Sequence, residues 1–256
     1  MRNLGSSLDA DRHKGGFFMS LFLEKVVEDG YVTYNITQGG YALVIVLALI
    51  AFATISFFKN ADGKGKMSVK QITVSALCLA LAFILSNIKL FKLPMGGSFT
   101  VFSMFFVTFI GYLYGPRVSI SAAFAYGLLQ MIVDPYIISI PQLLCDYILA
   151  FTALGLSGFF HNSKWGLFKG YFVGVLGRYF FAVLSGVVFF ADYAPENMSP
   201  LLYSMAYNII YIAAESALTV VVLLIPAIRV ALNRVKAEVI EKGVTKKERE
   251  FLEKTI

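Results

Sequence analysis

Three ionisable residues lie where a chain this apolar can least accommodate them. Asp146 sits in Leu143-Leu144-Cys145-Asp146-Tyr147-Ile148-Leu149-Ala150-Phe151, inside a run long enough to cross a bilayer. An unpaired carboxylate at that depth costs about 2.5–3.5 kcal/mol on insertion scales, so it requires a cation, a hydrogen-bond network or a ligand. Arg178 and Glu215 lie comparably deep. One reading is an Asp146–Arg178 ion pair with tyrosines as interfacial anchors; the other is a ligand site. Glu215, deeper on its helix, reads as a packing or docking residue.

Catalytic chemistry has little to work with. Gly155-Leu156-Ser157-Gly158 matches the short nucleophile motif of rhomboid-type intramembrane proteases, but that serine needs a histidine on a later span, and none follows His161. Both this stretch and Gly170-Tyr171-Phe172-Val173-Gly174 read as small-residue helix packing. His13 and His161 are the only histidines, and Cys78 and Cys145 both fall in apolar runs, so neither a metal site nor a disulfide is expected. The sequence contains no phosphate-binding glycine loop, so the chain is expected neither to be an enzyme nor to hydrolyse ATP by itself.

Of 256 residues, 58% are hydrophobic and 15% charged, with a mean hydropathy of +0.72. Soluble domains carry about 25% charged residues. The runs show no strict polar–apolar alternation, which excludes a β-barrel. The expectation is an all-α integral membrane protein with a six-helix body preceded by one extra N-terminal transmembrane helix. Residues 1–40 form a polar segment whose stretch 17–27 is amphipathic and suited to a membrane surface. The extra helix covers 41–58 and a basic linker 59–70. The six-helix domain occupies 71–231, with spans near 72–88, 99–114, 118–133, 137–160, 167–190 and 201–230. A charged tail, 232–256, reads as a solvated cytoplasmic helix from Lys236 onward.

The net charge of +6 fits cytoplasmic loops obeying the positive-inside bias rather than nucleic-acid binding. Lys59, Lys64, Lys66 and Lys70, Arg117, Lys164 and the Arg229/Arg234/Lys236 end belong on one side. Asp134, Asp192 and Glu196 mark the other, where Lys89 and Lys92 run against the trend. The chain is therefore expected in the cell membrane as a multi-pass protein, C-terminus cytoplasmic and N-terminus outside.

Gln142 and Asp146 share a helix face, four residues apart, with Tyr136 near its outer end. On the next span Arg178, Ala182, Gly186 and Phe190 repeat at the same interval, small residues opening the middle. Tyr203, Tyr207, Asn208, Tyr211 and Glu215 form a polar and aromatic ladder on the last. Polar groups from three helices thus converge beneath the loop holding Asp192, Tyr193 and Glu196, as in a ligand pocket open to the outside.

The stretch 137–215 resembles the thiamine-specific family of substrate-binding S components of energy-coupling factor (ECF) vitamin transporters. Pro141-Gln142-Leu143-Leu144-Cys145-Asp146-Tyr147-Ile148-Leu149-Ala150-Phe151 is similar to the family pattern P-x-Q-x-x-L-[DE]-Y-x-x-A-F, one residue shorter before the acid. Leu184-Ser185-Gly186-Val187-Val188-Phe189-Phe190, Tyr193-Ala194-Pro195-Glu196 and Ser199 through Asn208 continue the match, and the likeness covers about 67–230. It implies a substrate site of Asp146, Tyr147, Tyr136, Gly186, Phe190, Tyr203 and Asn208, with Ala76 and Ala80 docking the transmembrane coupling subunit. It also implies no cofactor, thiamine or a related compound as transported ligand, and delivery inward by that subunit with two ATPases. A carboxylate and an amide suit the donor–acceptor edge of an aminopyrimidine, and aromatic faces suit a thiazolium cation.

The chain departs from the family at Ala182, where a histidine is usual, and at Phe190, where a tryptophan is usual. The loop 91–98 lacks the lid tryptophan. These differences bear on the ligand: thiamine, a precursor or fragment of it, or another small vitamin-like cation. An S component for a different vitamin is the nearest alternative; a small polytopic membrane enzyme or assembly protein is the alternative of another class.

Overall fold

The computed structural model describes residues 21–28, 31–43, 46, 67–132 and 135–240. Among the described residues the body is built of α1 (Val69–Ser86), α2 (Ser103–Tyr114), α3 (Pro116–Gln130), α4 (Ile140–Phe160), α5 (Gly166–Phe189) and α6 (Pro200–Leu224). α1, α4, α5 and α6 are each long and apolar enough to cross a membrane. α2 and α3, with 12 and 15 residues, are shorter than the expected spans, and α2 is buried along most of its length. The apolar run at 99–114 begins as a strand rather than a helix. Ser98–Thr100 pairs antiparallel with Lys89–Lys92, and the two strands flank a tight turn at Pro94–Gly96.

Local chemistry sets the helix ends. Ser68 and Gln71 form a reciprocal capping box, so α1 starts inside the stretch assigned to the basic linker. Gly115, at φ +83°, breaks α2 from α3, and Pro116 occupies the first turn of α3. The expected single span 201–230 is two helices. Ile225 precedes Pro226 and takes an extended conformation, because proline's ring crowds a helical predecessor; α7 (Pro226–Ile240) then begins.

Close backbone approach holds α4 in the centre. A Cβ on Gly155 would stand 2.4 Å from Ile120 Cα, and one on Gly158 2.4 Å from Pro116 Cα. A Cβ on Gly170 or Gly174 of α5 would likewise stand 2.7 Å from the Ser157 carbonyl oxygen or 2.8 Å from that of Leu154. Ser157 meets Ser119 at 3.2 Å between hydroxyl oxygens. The Gly155–Gly158 stretch is a packing surface, as its lack of a histidine partner implied.

Two expectations need correction. Of the 17–27 stretch, Leu21 and Phe22 are helical, but from Leu23 it is a strand: Leu23–Glu28 (β1) pairs with Tyr31–Ile36 (β2) in an antiparallel hairpin. The tail is not solvated at Lys236. That residue is 4% exposed, donates to the His161 carbonyl and lies 3.9 Å over the Tyr112 ring, while Tyr112 donates to Asn233 at 2.8 Å. α7 is thereby folded onto the ends of α2 and α4. Of the expected extra helix 41–58, residues 41–43 and 46 are described and are helical. The remainder of it, residues 59–66 of the linker and 241–256 of the tail lie outside the described residues.

Candidate functional site

Asp146 falls in a π-helical turn of α4, Leu144–Leu149, started by Ser139 capping the Gln142 amide and by Pro141 in the first turn. The wider turn shifts side chains off the regular helical register, a device common at functional sites. It brings Asp146 Oδ2 within 2.6 Å of Gln142 Nε2. Gln142 is 1% exposed and fully engaged. The same nitrogen donates to the Tyr136 carbonyl at 3.1 Å, and its Oε1 accepts from the Ile138 amide at 3.2 Å. Both anchors fix the amide's orientation, so Asp146 always meets a donor there.

Arg178 does not neutralise this carboxylate directly. Its guanidinium lies 4.3 Å from the centre of the Phe151 ring, a cation–π contact, and the two charged groups do not form an ion pair within 4.0 Å among the described residues. Both side chains instead line one cavity of about 130 Å³. All seven substrate residues expected from the sequence, Asp146, Tyr147, Tyr136, Gly186, Phe190, Tyr203 and Asn208, border it.

The seven do different things. Tyr136, Phe190 and Tyr193 form an aromatic rim, with ring centres 6.1 and 5.8 Å apart in sequence and the two tyrosine hydroxyls 3.2 Å apart. Tyr147 accepts from the Tyr136 amide at 2.9 Å, tying rim to helix. Asn208 is 5% exposed, and its amide donates to the Ser204 carbonyl at 2.9 Å and the Ala182 carbonyl at 3.3 Å while accepting from Tyr211 at 2.6 Å. The bond to Ala182 joins α6 to α5, and the other two hold the amide in place on α6. Gly186 permits the same junction: a Cβ there would meet Ser204 Oγ at 2.0 Å.

Sequence reasoning did not find the cavity's other wall. Ser86 and Gln130, from α1 and α3, bond at 2.9 Å beside it, and Lys89, Met95, Gly96, Gly97 and Ser98 close it from the β3–β4 loop (Lys89–Lys92 and Ser98–Thr100). That loop is clasped by Tyr207, whose hydroxyl accepts from the Gly97 amide at 2.9 Å and donates to the Pro94 carbonyl. Met95 and Gly96 adopt φ of +60° and +92° to make the turn, and the left-handed Met95 is strained for a side-chain-bearing residue. The Pro94-Met95-Gly96-Gly97 signal marked a break between spans but carried no trace of its tyrosine partner 110 positions away.

Glu215 is a structural carboxylate. It is 2% exposed and accepts from Thr100 Oγ1 at 2.6 Å, Ser103 Oγ at 3.0 Å and the Met104 amide at 2.9 Å. Phe102, at the cap position of α2, has no capping side chain, so Glu215 caps α2 from another helix. Ala76 and Ala80 lie together on the exposed face of α1. Among the described residues, no group of three or more His, Cys, Asp or Glu could hold a metal ion.

Comparison with known proteins finds relatives among thiamine transporters. The chain is 31% identical over 176 residues to the thiamine transporter ThiT of Bacillus subtilis, covering 62% of this chain and 91% of that protein. It is 29% identical over 118 residues to ThiT of Lacticaseibacillus paracasei, covering 40% of this chain and 59% of that protein. The solved structure of ThiT from Listeria monocytogenes aligns with 71% of this chain and 96% of its own, at 22% identity and a TM-score of 0.47. The family of thiamine transporter proteins (Thia_YuaJ) matches residues 72–234, well over half the chain, and the chain belongs to that family of membrane transporters.

Proposed function

We propose that this chain is the substrate-binding S component of an ECF importer, taking thiamine or a thiamine-related compound from outside into the Asp146 cavity. The observation that carries this reading is a half-buried carboxylate anchored by Gln142, with no ion-pair partner within 4.0 Å among the described residues, facing a cavity ringed by tyrosines. A cationic ring between those aromatic faces can approach the carboxylate more closely than Arg178, which shares the cavity but is held on the Phe151 ring, and the carboxylate reads an amine-bearing ring edge. Tyr136, Tyr147, Phe190 and Tyr203 serve as walls; Gly186 and Asn208 hold α5 and α6 at the spacing the cavity needs. Ala182 and Phe190 leave room where the family usually has larger groups, so the ligand range extends to the separate rings of thiamine.

Energy comes from a separate coupling subunit and two ATPases, with the exposed Ala76/Ala80 face of α1 as the contact for the former. Small residues let a partner helix approach closely. The Asp146 end faces outward and the Lys236 end inward, a reading supported by the basic residues at the latter; on it the N-terminal hairpin, bonded to Ile137 through Tyr34, belongs on the outer side.

Calorimetric titration of the purified chain with thiamine, its aminopyrimidine half and its thiazolium half tests the ligand. Asp146→Asn removes the charge while keeping an acceptor for Gln142, and should weaken thiamine affinity by about tenfold with expression intact. Equal affinity in the variant makes Asp146 structural. Tight binding of a chemically unrelated metabolite in place of thiamine rejects the ligand.

A further inference from the structure

The family match begins at residue 72, so the hairpin of β1 and β2 lies wholly before it. We infer that this hairpin is a positioning element of the ligand site, holding the segment 135–139 in the one placement that orients Gln142 toward Asp146. The inference rests on the proposed ligand-binding reading of the Asp146 cavity.

The hairpin's outer edge carries the argument. In an antiparallel pair each residue's N–H and C=O leave the strand on the same side. Tyr34 is opposite Lys25 in the register, yet its N–H donates to the Ile137 carbonyl at 2.7 Å, in an isolated antiparallel bridge. It therefore points away from β1, and Ile137 is joined to the hairpin's outer edge by this bridge. Leu23, Tyr34 and Ile36 pack over a small cluster of Leu128, Met131, Ile137 and Leu143. Ile137 is 1% exposed, although it belongs to a loop at the cavity's mouth.

From Ile137 to the carboxylate the connection is one residue deep on each side. The peptide units flanking Ile137 supply both anchors of Gln142: the Tyr136 carbonyl accepts from Nε2 and the Ile138 amide donates to Oε1. The Tyr136 amide is itself bonded to Tyr147. If the segment shifts, Gln142 loses both anchors together, its amide is free to turn over, and Asp146 loses its fixed donor. Tyr136 would move with its own backbone, taking one wall of the aromatic rim. A short irregular loop has no ladder of its own to resist this; the hairpin supplies a bridge and a packed face against it.

The test uses the full chain. Tyr34→Pro removes the outward N–H at a strand position where proline is tolerated, because that N–H plays no part in the β1–β2 ladder. Tyr34→Val removes the ring but keeps the N–H. Thiamine affinity is measured by calorimetry, and amide exchange is followed at Tyr136 and Ile138 without ligand. Tyr34→Pro should raise Kd about tenfold and expose both amides, whereas Tyr34→Val should stay within about twofold. Unchanged affinity and protection in Tyr34→Pro overturn the inference, as does an equal loss in both variants, which would make the hairpin a mere cover. If the unsubstituted chain fails to bind thiamine, the proposed ligand falls instead, and the exchange at Tyr136 and Ile138 still decides the hairpin's role.

Should Tyr34→Pro not fold, the unsubstituted protein answers by reciprocity: ligand that depends on the hairpin must in turn stabilise it. Added thiamine should then slow exchange of the Tyr34 amide in step with that of Ile138. A Tyr34 amide indifferent to saturating thiamine overturns the inference.

Discussion

Replacing Glu215 offers the sharpest test of how the site is held. Its two oxygens accept three hydrogen bonds, from Thr100, Ser103 and the Met104 amide, in a fully enclosed setting. Glu215→Ala strands all three donors, and an unsatisfied buried donor costs about 1–3 kcal/mol. The Thr100 and Ser103 hydroxyls are 3.0 Å apart and can satisfy each other; the Met104 N–H has no substitute within the first turn of α2. The net loss should be about 3–5 kcal/mol, close to that of breaking a buried charged contact. Glu215→Gln keeps an oxygen for Ser103 and Met104 and lets Thr100 rotate to accept from the amide. It forfeits only the negative charge at the helix amino end, so the loss should be about 1–2 kcal/mol. Unfolding titrated with SDS in mixed micelles measures both. Because Thr100 and Ser103 also line the cavity, thiamine affinity should fall in the same order. Equal destabilisation by Ala and Gln, or a loss under about 1 kcal/mol for Ala, would refute the trans-capping argument.

Other outcomes follow from the same contacts. Tyr207→Phe deletes the hydroxyl clasping Gly97 and Pro94, so ligand should leave roughly tenfold faster in stopped-flow measurements, with the fold unchanged. Gly186→Ala drives a methyl into Ser204 and should destabilise the α5–α6 junction by about 1–3 kcal/mol; Ser204→Gly in the same chain should recover most of the loss. Burial pushes the Lys236 ammonium down from 10.5 to about 8. Between pH 8 and 10 the unfolded chain then holds a proton at this site that the folded chain has released, so this group makes stability rise with pH, by at most about 1.4 kcal/mol per unit. Comparing SDS unfolding midpoints at the two pH values, Lys236→Met should remove that increment; an identical slope in the variant would place Lys236 in water.

The membrane class, the order of helices and the face shared by Gln142 and Asp146 were legible in the chain because each depends on neighbours within a few positions. Apolar run length reports the bilayer, and a four-residue interval reports a helix face. Motif resemblance then marked seven cavity residues, all of which border one space. Contacts between distant positions left no such signal. Nothing near Glu215 announces that it caps a helix more than a hundred residues earlier, and nothing near Tyr207 announces the loop it clasps. Charge patterning also misled at Lys236, since a basic residue in a mixed-charge stretch looks solvated until a carbonyl and a ring are found around it.

The β-hairpin shows the division most clearly. Its local sequence, amphipathic over 17–27, is compatible with a surface helix; the strand form wins because β1 can pair with β2 and β2 with Ile137. Sequence alone determined that a carboxylate would fall inside an apolar span of this protein, because hydrophobicity is a property of each residue. Only the tertiary structure decided that Gln142, rather than Arg178, would hold it, because a hydrogen bond depends on where separate segments of backbone come to rest.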